Sequence, residues 1–275
     1  MLRIFGRTFL LGLSVGVLSV LLVVAMPLVG GRPTTGPTGP RSPWVSSGKA
    51  ADAGYLGVVT RGNISTHSAE FGVPSVSCQP SLPEAQVVGV HVGASGVLLN
   101  GTTVEVGMNL NVICDLGSSS PRFAPLAYDC LGANCTTLTV FALTISIGDD
   151  VTFHIQTDPL AGKVAWKMTD QSTHASASWT ENFHHGVNLT RAFWEVGGPT
   201  YPCTPTSCAQ ALAKFSGQVS LRDGGLTVSG THVEVGALAY LIRYTMVDSI
   251  DHVLARCSPL SKNGSTFSVT WIHST

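Results

Sequence analysis

Short apolar runs, each broken by glycine, proline, asparagine or aspartate, follow one another from Gly54 to the C-terminus. The run DVTFHIQT at 150–157 is a clear example, because Val151, Phe153 and Ile155 alternate with polar residues. Such alternation is typical of a strand that buries one face. About a dozen runs of this kind, with turn residues between them, predict an all-β protein, either a two-sheet antiparallel β-sandwich or a barrel.

The charge content limits the partners that such a domain can have. Only 11% of the residues are charged, and the formal net charge is −1. No cluster of lysine and arginine stands out, so the electrostatic footprint of a nucleic-acid-binding surface is absent. We therefore expect no nucleic acid partner.

The N-terminal segment 1–30 predicts export. Arg3 and Arg7 precede an almost unbroken apolar run at 9–29, which is the order of residues in an export signal. The run is about 20 residues long, enough to span a bilayer. A cleaved signal peptide and an uncleaved membrane anchor are therefore both open, and both leave the rest of the chain secreted or anchored on the extracytoplasmic face of the membrane.

Two further regions follow this segment. Residues 31–52 are rich in proline, glycine and threonine and predict a flexible linker, since they offer little apolar surface to bury. Residues 53–275 hold the predicted β-sandwich domain.

The cysteines agree with an exported protein. Their number, seven, is odd, so at least one is unpaired in a monomer. A zinc site is the competing interpretation, but the C-x4-C spacing lacks a C-x2-C knuckle, and we predict no metal and no cofactor. The candidate disulfides are Cys130–Cys135, Cys203–Cys208 and Cys78–Cys114.

Two glutamates lie inside predicted strands. Glu105 in VEVG and Glu195 in AFWEVGGP are each flanked by apolar residues. A carboxyl that points into an apolar face has a raised pKa, and two such carboxyls can divide the roles of acid and base. The alternative is that strand alternation turns both towards solvent. Familiar catalytic motifs such as G-x-S-x-G and H-E-x-x-H are absent from the sequence.

The order of seven segments in the sequence favours the first of these alternatives. They are GYLGVV…SAEFGVPSVSC, AQVVGVHVG, VEVGMNLNVIC, LAYDC, ALTISIGDDVTFHI, RAFWEVGGP and ALAKFSGQVSL. In this order they resemble segments of the glutamic peptidases of the eqolisin (G1) family, over about 220 residues. The resemblance implies a concanavalin A-like sandwich, a polypeptide substrate and hydrolysis by a water molecule. We expect a monomer.

The resemblance also implies a catalytic pair. In the family a glutamate acts as general base on water and a glutamine stabilises the oxyanion. The base falls on Glu195, and the oxyanion position falls on Glu105, where the family has glutamine. An ionised carboxylate offers no proton to an oxyanion, so this pair requires one shared proton. Free glutamate titrates near pH 4.3, and we therefore expect cleavage only below about pH 5.

The substrate cleft implied by the resemblance departs from the family. Its substrate-binding positions fall on Tyr55, His91, Tyr128 and Asp129. Aromatic walls are reduced, since Tyr55, Val88 and Ala127 replace family tryptophans, which removes apolar area that grips a peptide. An alternative is therefore a catalytically inactive β-sandwich that binds a peptide or glycan. A concanavalin-like glycoside hydrolase, which also needs two carboxylates, and a structural surface protein are further alternatives.

Overall fold

The computed structural model describes residues 44–50, 52–83, 85–198, 211–247 and 252–272. Apart from one 3-10 turn at Val235–Ala237, the regular structure of these residues is β-strand. The strands are β1 (Trp44–Ala50), β2 (Asp52–Val58), β3 (Ile64–Gly72), β4 (Ser75–Val76), β5 (Gln86–Val97), β6 (Thr103–Cys114), β7 (Arg122–Leu131), β8 (Asn134–Val140), β9 (Asp150–Asp158), β10 (Lys163–Asp170), β11 (Ser176–Asn182), β12 (Asn188–Gly197), β13 (Ala211–Leu212), β14 (Phe215–Ser216), β15 (Gln218–Val228), β16 (Thr231–Glu234), β17 (Tyr240–Val247), β18 (Val253–Cys257) and β19 (Phe267–Trp271).

Seventeen strands form one continuous hydrogen-bonded sheet, which folds over into two layers. The front layer has the order β8-β7-β6-β5-β12-β2-β17-β1, and the back layer has the order β18-β19-β15-β3-β9-β10-β11. The two remaining strands, β13 and β16, pair with β5 and β15. Strand β17 joins them, because it pairs first with β2 and then with β18. All pairings are antiparallel except β1 with β17 and β13 with β5. The predicted all-β antiparallel sandwich is confirmed.

The core lies between the two layers and follows the alternation of the strands. Alternate residues of β5 and β6, such as Val90 and Leu110, are fully buried and pack with Phe71, Phe153 and Trp166 from the back layer. Because side chains of a strand alternate between its two faces, the remaining residues of β5 and β6 point away from this core. We call this second surface the outer face of the front layer.

Strand β1 lies inside the 31–52 segment that composition predicts to be a linker. Its backbone pairs in parallel with β17, from Trp44 opposite Tyr240 to Ala50 opposite Met246. The pairing is not visible in the composition of the segment, because it depends on a free edge of β17, about 190 residues further along the chain. The export segment 1–30 lies outside the described residues. In the part of the chain that is described, no helix is long and apolar enough to cross a bilayer.

Two of the three candidate disulfides are confirmed. Cys78 is bonded to Cys114 at the end of β6, and Cys130 is bonded to Cys135 across the β7–β8 hairpin. The candidate pair Cys203–Cys208 lies outside the described residues. Cys257 is a buried free thiol.

Candidate active site

Strand register brings the two glutamates to one surface. Glu195 lies between Trp194 and Val196, which are both buried in the core, so its own side chain is on the outer face. Glu105 is placed in the same way by its buried neighbours Val104 and Val106. Both glutamates are partly exposed. The expectation that strand alternation turns both glutamates away from the core therefore agrees with the structure, and on this shared face both can meet a ligand.

A glycine makes room for Glu195. In the ladder Glu195 lies opposite Gly54 of β2 on one side and His91 of β5 on the other. A Cβ on Gly54 would come within 2.7 Å of the Glu195 Cα and within 3.0 Å of its Cγ. Only glycine allows the Glu195 side chain to lie over β2 at this point.

A second glycine positions the tyrosine that holds Glu105. Gly107 of β6 lies opposite Tyr128 of β7, and a Cβ on Gly107 would lie 2.7 Å from Cε1 of the ring. The ring therefore lies flat over β6. Its hydroxyl donates a 3.0 Å hydrogen bond to Oε1 of Glu105.

A third carboxyl joins these two. Asp52 at the start of β2 lies opposite Gly197 of β12, two positions from the Gly54–Glu195 pair, and so on the same face. Burial raises the pKa of Asp52 to about 6. Asp52 also acts electrostatically on Glu105, Glu195 and Tyr128. We call Asp52, Glu105 and Glu195 the carboxyl cluster.

The electrostatics of the carboxyl cluster favour retained protons. Burial, followed by the negative charges of Asp52 and Glu105, raises the pKa of Glu195 well above its usual range. Burial also raises the pKa of Glu105, while the hydrogen bond from Tyr128 opposes this shift. Carboxyls that interact in this way titrate as a group rather than singly. The cluster can therefore carry both a proton donor and a proton acceptor in weakly acidic solution.

His91 lies beside the carboxyl cluster in a polar environment. It is buried, and burial lowers the pKa of its imidazole to about 4 although a hydrogen bond to the Gly198 backbone opposes the shift. Next to it, Asn109 donates a 3.0 Å hydrogen bond from Nδ2 to Oδ1 of Asn111, and both side chains are buried. His91 is therefore neutral above about pH 4 and contributes hydrogen bonding rather than charge.

Two of the predicted substrate-binding residues lie elsewhere. Tyr55 faces the core, where its hydroxyl donates a 3.0 Å hydrogen bond to the Ser258 carbonyl and its ring packs edge-on against Phe267. Asp129 lies opposite Val106 of the core face, on the side of β7 away from Tyr128. The structure thus brings together Glu195, Glu105, Tyr128 and His91, and leaves Tyr55 and Asp129 out of this group.

Sequence reasoning missed two members of the site. Asp52 fell in the predicted linker, although the alternation of Gly54 and Leu56 extended back by one step would have placed it on their face. Tyr244 of β17 lies opposite Gly54, and the pKa of its hydroxyl is raised by burial and then by the charge of Glu195. No local signal in the sequence relates Tyr244 to Glu195.

Within the described ranges, no group of three or more His, Cys, Asp or Glu side chains is arranged to hold a metal ion. The arrangement suits proton transfer by carboxyls, with hydrogen-bond donors beside them.

Several solved protein structures are similar to this fold. Scytalido-glutamic peptidase with a peptide-based transition-state analogue superposes with a TM-score of 0.59 at 18% identity, over 81% of this chain and 98% of that one. The fold is that of the glutamic peptidases. SCP-B, a member of the eqolisin family of peptidases in complex with the tripeptide Ala-Ile-His, superposes with a TM-score of 0.58 at 16% identity, again over 81% and 98% of the two chains.

No similarity in sequence accompanies this similarity in structure. No protein-family model matches the chain, and no curated protein matches it in sequence. At 16–18% identity the structural likeness to the glutamic peptidases is a likeness of fold. The carboxyl cluster itself is therefore the feature from which a function can be inferred.

Proposed function

We propose that this chain is an exported endopeptidase that acts at acid pH and hydrolyses peptide bonds through Glu195 and Glu105. The observation that carries the proposal is that Glu195, Glu105 and Asp52 share the outer face of a sheet with the glutamic-peptidase fold, where burial and the charges of Asp52 and Glu105 raise the pKa of Glu195. Structures with this fold have been solved with a transition-state analogue and with a tripeptide. A polypeptide is accordingly the proposed substrate.

In the proposed reaction the carboxyl cluster holds at least one proton and one negative charge. Ionised Glu195 takes a proton from water, and the resulting hydroxide attacks the scissile carbonyl carbon. Protonated Glu105 donates a hydrogen bond to the oxyanion that forms. The proton on Glu195 then passes to the leaving amine as the C–N bond breaks, which returns the base to its starting state.

The pH range follows from the raised pKa values. The cluster must retain a proton, and Asp52 keeps its own up to about pH 6. Above that pH the negative charge of the cluster increases and repels an oxyanion. We therefore expect cleavage in acid, with an upper limit near pH 6 rather than the pH 5 that an isolated glutamate would give.

One contact favours the opposite division of roles. The Tyr128 hydroxyl donates to Glu105 and so stabilises the ionised form of Glu105. Glu195 accepts no such hydrogen bond from the described residues. Two variants separate the assignments, because glutamine can donate to an oxyanion but cannot act as a base.

The experiment measures cleavage of denatured albumin by the full chain from pH 2 to pH 7, alongside Glu195→Gln and Glu105→Gln. We expect Glu195→Gln to lose about 100-fold or more of the rate, since a general base contributes on that order. Glu105→Gln should remain active and extend its activity to higher pH, because its amide donates without a bound proton. If Glu105→Gln loses cleavage and Glu195→Gln keeps it, Glu105 is the base and Glu195 the hydrogen-bond donor.

Absence of cleavage by the folded wild type at every pH would overturn the peptidase proposal. Tryptophan fluorescence at each pH shows whether the protein is folded during the assay. The remaining interpretation would then be a β-sandwich that binds a peptide or glycan without cutting it.

Export is proposed on the N-terminal segment and on the two disulfides, which persist in oxidising compartments.

A further inference from the structure

A cavity of about 460 Å³ lies on the outer face, next to Glu105. Its lining includes Glu105 and Tyr128 of the proposed site, and the Cys130–Cys135 hairpin. It also includes Ser95 of β5 and Arg191 of β12. The hairpin disulfide stands at one side of the cavity and Arg191 at the other.

Strand register fixes the floor of this cavity. Ser95 lies opposite Glu105 on one side and opposite Arg191 on the other. The three residues therefore share one face, and the Cα atoms of Glu105 and Arg191 are roughly 10 Å apart, two strand spacings. A carboxyl and a guanidinium thus flank a serine hydroxyl, with space above them for a ligand.

A bulge directs Arg191 to this position. The register between β12 and β5 shifts between Leu189 and Arg191, so Thr190 is an extra residue on β12. Gly96 permits the close approach of the two strands there, because a Cβ on it would lie 2.9 Å from the Leu189 Cα. Bulges of this kind commonly re-aim a side chain beside an active site.

The charges of the lining select a class of ligand. Arg191 is exposed and forms no ion pair with a carboxylate of the described residues. Glu105 and Arg191 are the acidic and basic members of the lining. When Glu105 is protonated, as the proposed reaction requires, the cavity carries one net positive charge. Guanidinium groups recognise carboxylates through paired N–H donors.

We propose that this cavity is a substrate subsite in which Arg191 binds a carboxylate of the peptide. The carboxylate belongs either to an aspartate or glutamate side chain or to the C-terminus of the substrate. This inference rests on the proposed function, because it names the substrate class of the same site. Since Glu105 borders the cavity, the preferred residue lies within about three positions of the scissile bond.

The test compares four fluorescein-labelled octapeptides of one sequence. They carry glutamate or glutamine at the fourth position, and end in a free carboxylate or an amide. Binding is measured by fluorescence polarisation at pH 5 with the Glu195→Gln full chain, so that no peptide is consumed. Cleavage of the same peptides is measured with the wild type.

We expect the peptide with the recognised carboxylate to bind about tenfold more tightly than its neutral partner, as for a charged hydrogen bond near a surface. Arg191→Gln, added to Glu195→Gln, should reduce the difference to less than twofold, and Arg191→Lys should keep part of it. Arg256→Gln is the matched control, because Arg256 is an exposed arginine on β18 of the back layer and its loss should change nothing. The glutamate and C-terminal arms show which carboxylate is recognised.

The two proposals fail in different ways. Equal binding of all four peptides, or an unchanged preference in Arg191→Gln, overturns the subsite even if the wild type cleaves them. A carboxylate preference that depends on Arg191, without cleavage by the wild type, supports the subsite and overturns the peptidase.

Discussion

The Tyr128 hydroxyl and the Glu105 carboxyl are joined by a 3.0 Å hydrogen bond across two neighbouring strands, over the bare backbone of Gly107. This contact lowers the pKa of Glu105 against the effect of burial. It also ties the pH behaviour of the site to a residue that carries no charge itself, because burial raises the pKa of the Tyr128 hydroxyl well above its usual range.

Replacing Tyr128 by phenylalanine should raise the pKa of Glu105, because the hydroxyl no longer stabilises its ionised form. Titration of the glutamate side-chain carboxyls by carbon-13 NMR measures this shift. Tyr55→Phe is the matched control, since it also removes one 3.0 Å hydroxyl hydrogen bond but on the core face. Both variants should lose about 1 kcal/mol of unfolding free energy. An unchanged Glu105 titration in Tyr128→Phe would contradict the role given to this contact.

Replacing Gly54 by alanine should destabilise the fold and displace Glu195. The new Cβ would meet the Glu195 Cα at 2.7 Å, so strands β2 and β12 must separate. We expect a loss of about 1–3 kcal/mol in urea unfolding, as for other overpacked sites. Gly72→Ala is the control, because the Cβ at that strand position meets its nearest atom at 3.7 Å. Equal stability of the two variants would show that Gly54 is not required for space.

Replacing Asp52 by asparagine should make stability less dependent on pH. The pKa of Asp52 is about 6 in the folded chain, against an ordinary value of 3.8. The folded state therefore binds more protons than the unfolded state between about pH 4 and 6, so this contribution to stability is full below pH 4 and is lost as pH rises through 6. Asp52→Asn should gain up to about 2 kcal/mol on the wild type over this range.

The measurement for Asp52→Asn is a series of urea midpoints at pH 4, 5, 6 and 7 for both proteins. Buried His67 and His91 have lowered pKa values, about 3 and about 4, and so destabilise the fold as pH falls below 6.5. Their effect is common to the wild type and the variant and cancels in the difference. A difference that stays constant from pH 4 to pH 7 would count against a raised pKa for Asp52.

The Cys257 thiol should not react with thiol reagents while the protein is folded. Burial raises the pKa of the Cys257 thiol to about 12, so it should not react with Ellman's reagent at pH 8. In guanidinium chloride without reductant the full chain should expose one thiol, if Cys203 and Cys208 are paired as their spacing predicts. Three reactive thiols in denaturant would contradict that pairing. If denaturant exposes one thiol, a reactive thiol in the native protein would contradict the burial of Cys257.

Much of the fold could be predicted from the alternation of apolar and polar residues along the strands. The alternating run DVTFHIQT at 150–157 lies within a residue of β9, and the segment VEVGMNLNVIC lies within β6. Strand β7 is harder to predict from the sequence, because Pro125 in its interior removes a backbone donor and weakens the strand signal. Strand β1 was missed because its partner β17 is remote in sequence.

The sequence by itself determined the class of fold and the Cys130–Cys135 disulfide, since both follow from residue types at short spacing. It also named Cys78–Cys114 and the two glutamates as candidates. The tertiary structure alone decided which polar residues meet. Asp52, Tyr244 and Arg191 join the outer face through pairings of β2, β17 and β12 that span much of the chain. Tyr55 was turned to the core by one step of the same alternation. A one-residue change in strand phase moves a side chain to the opposite face, and only the assembled ladder fixes that phase.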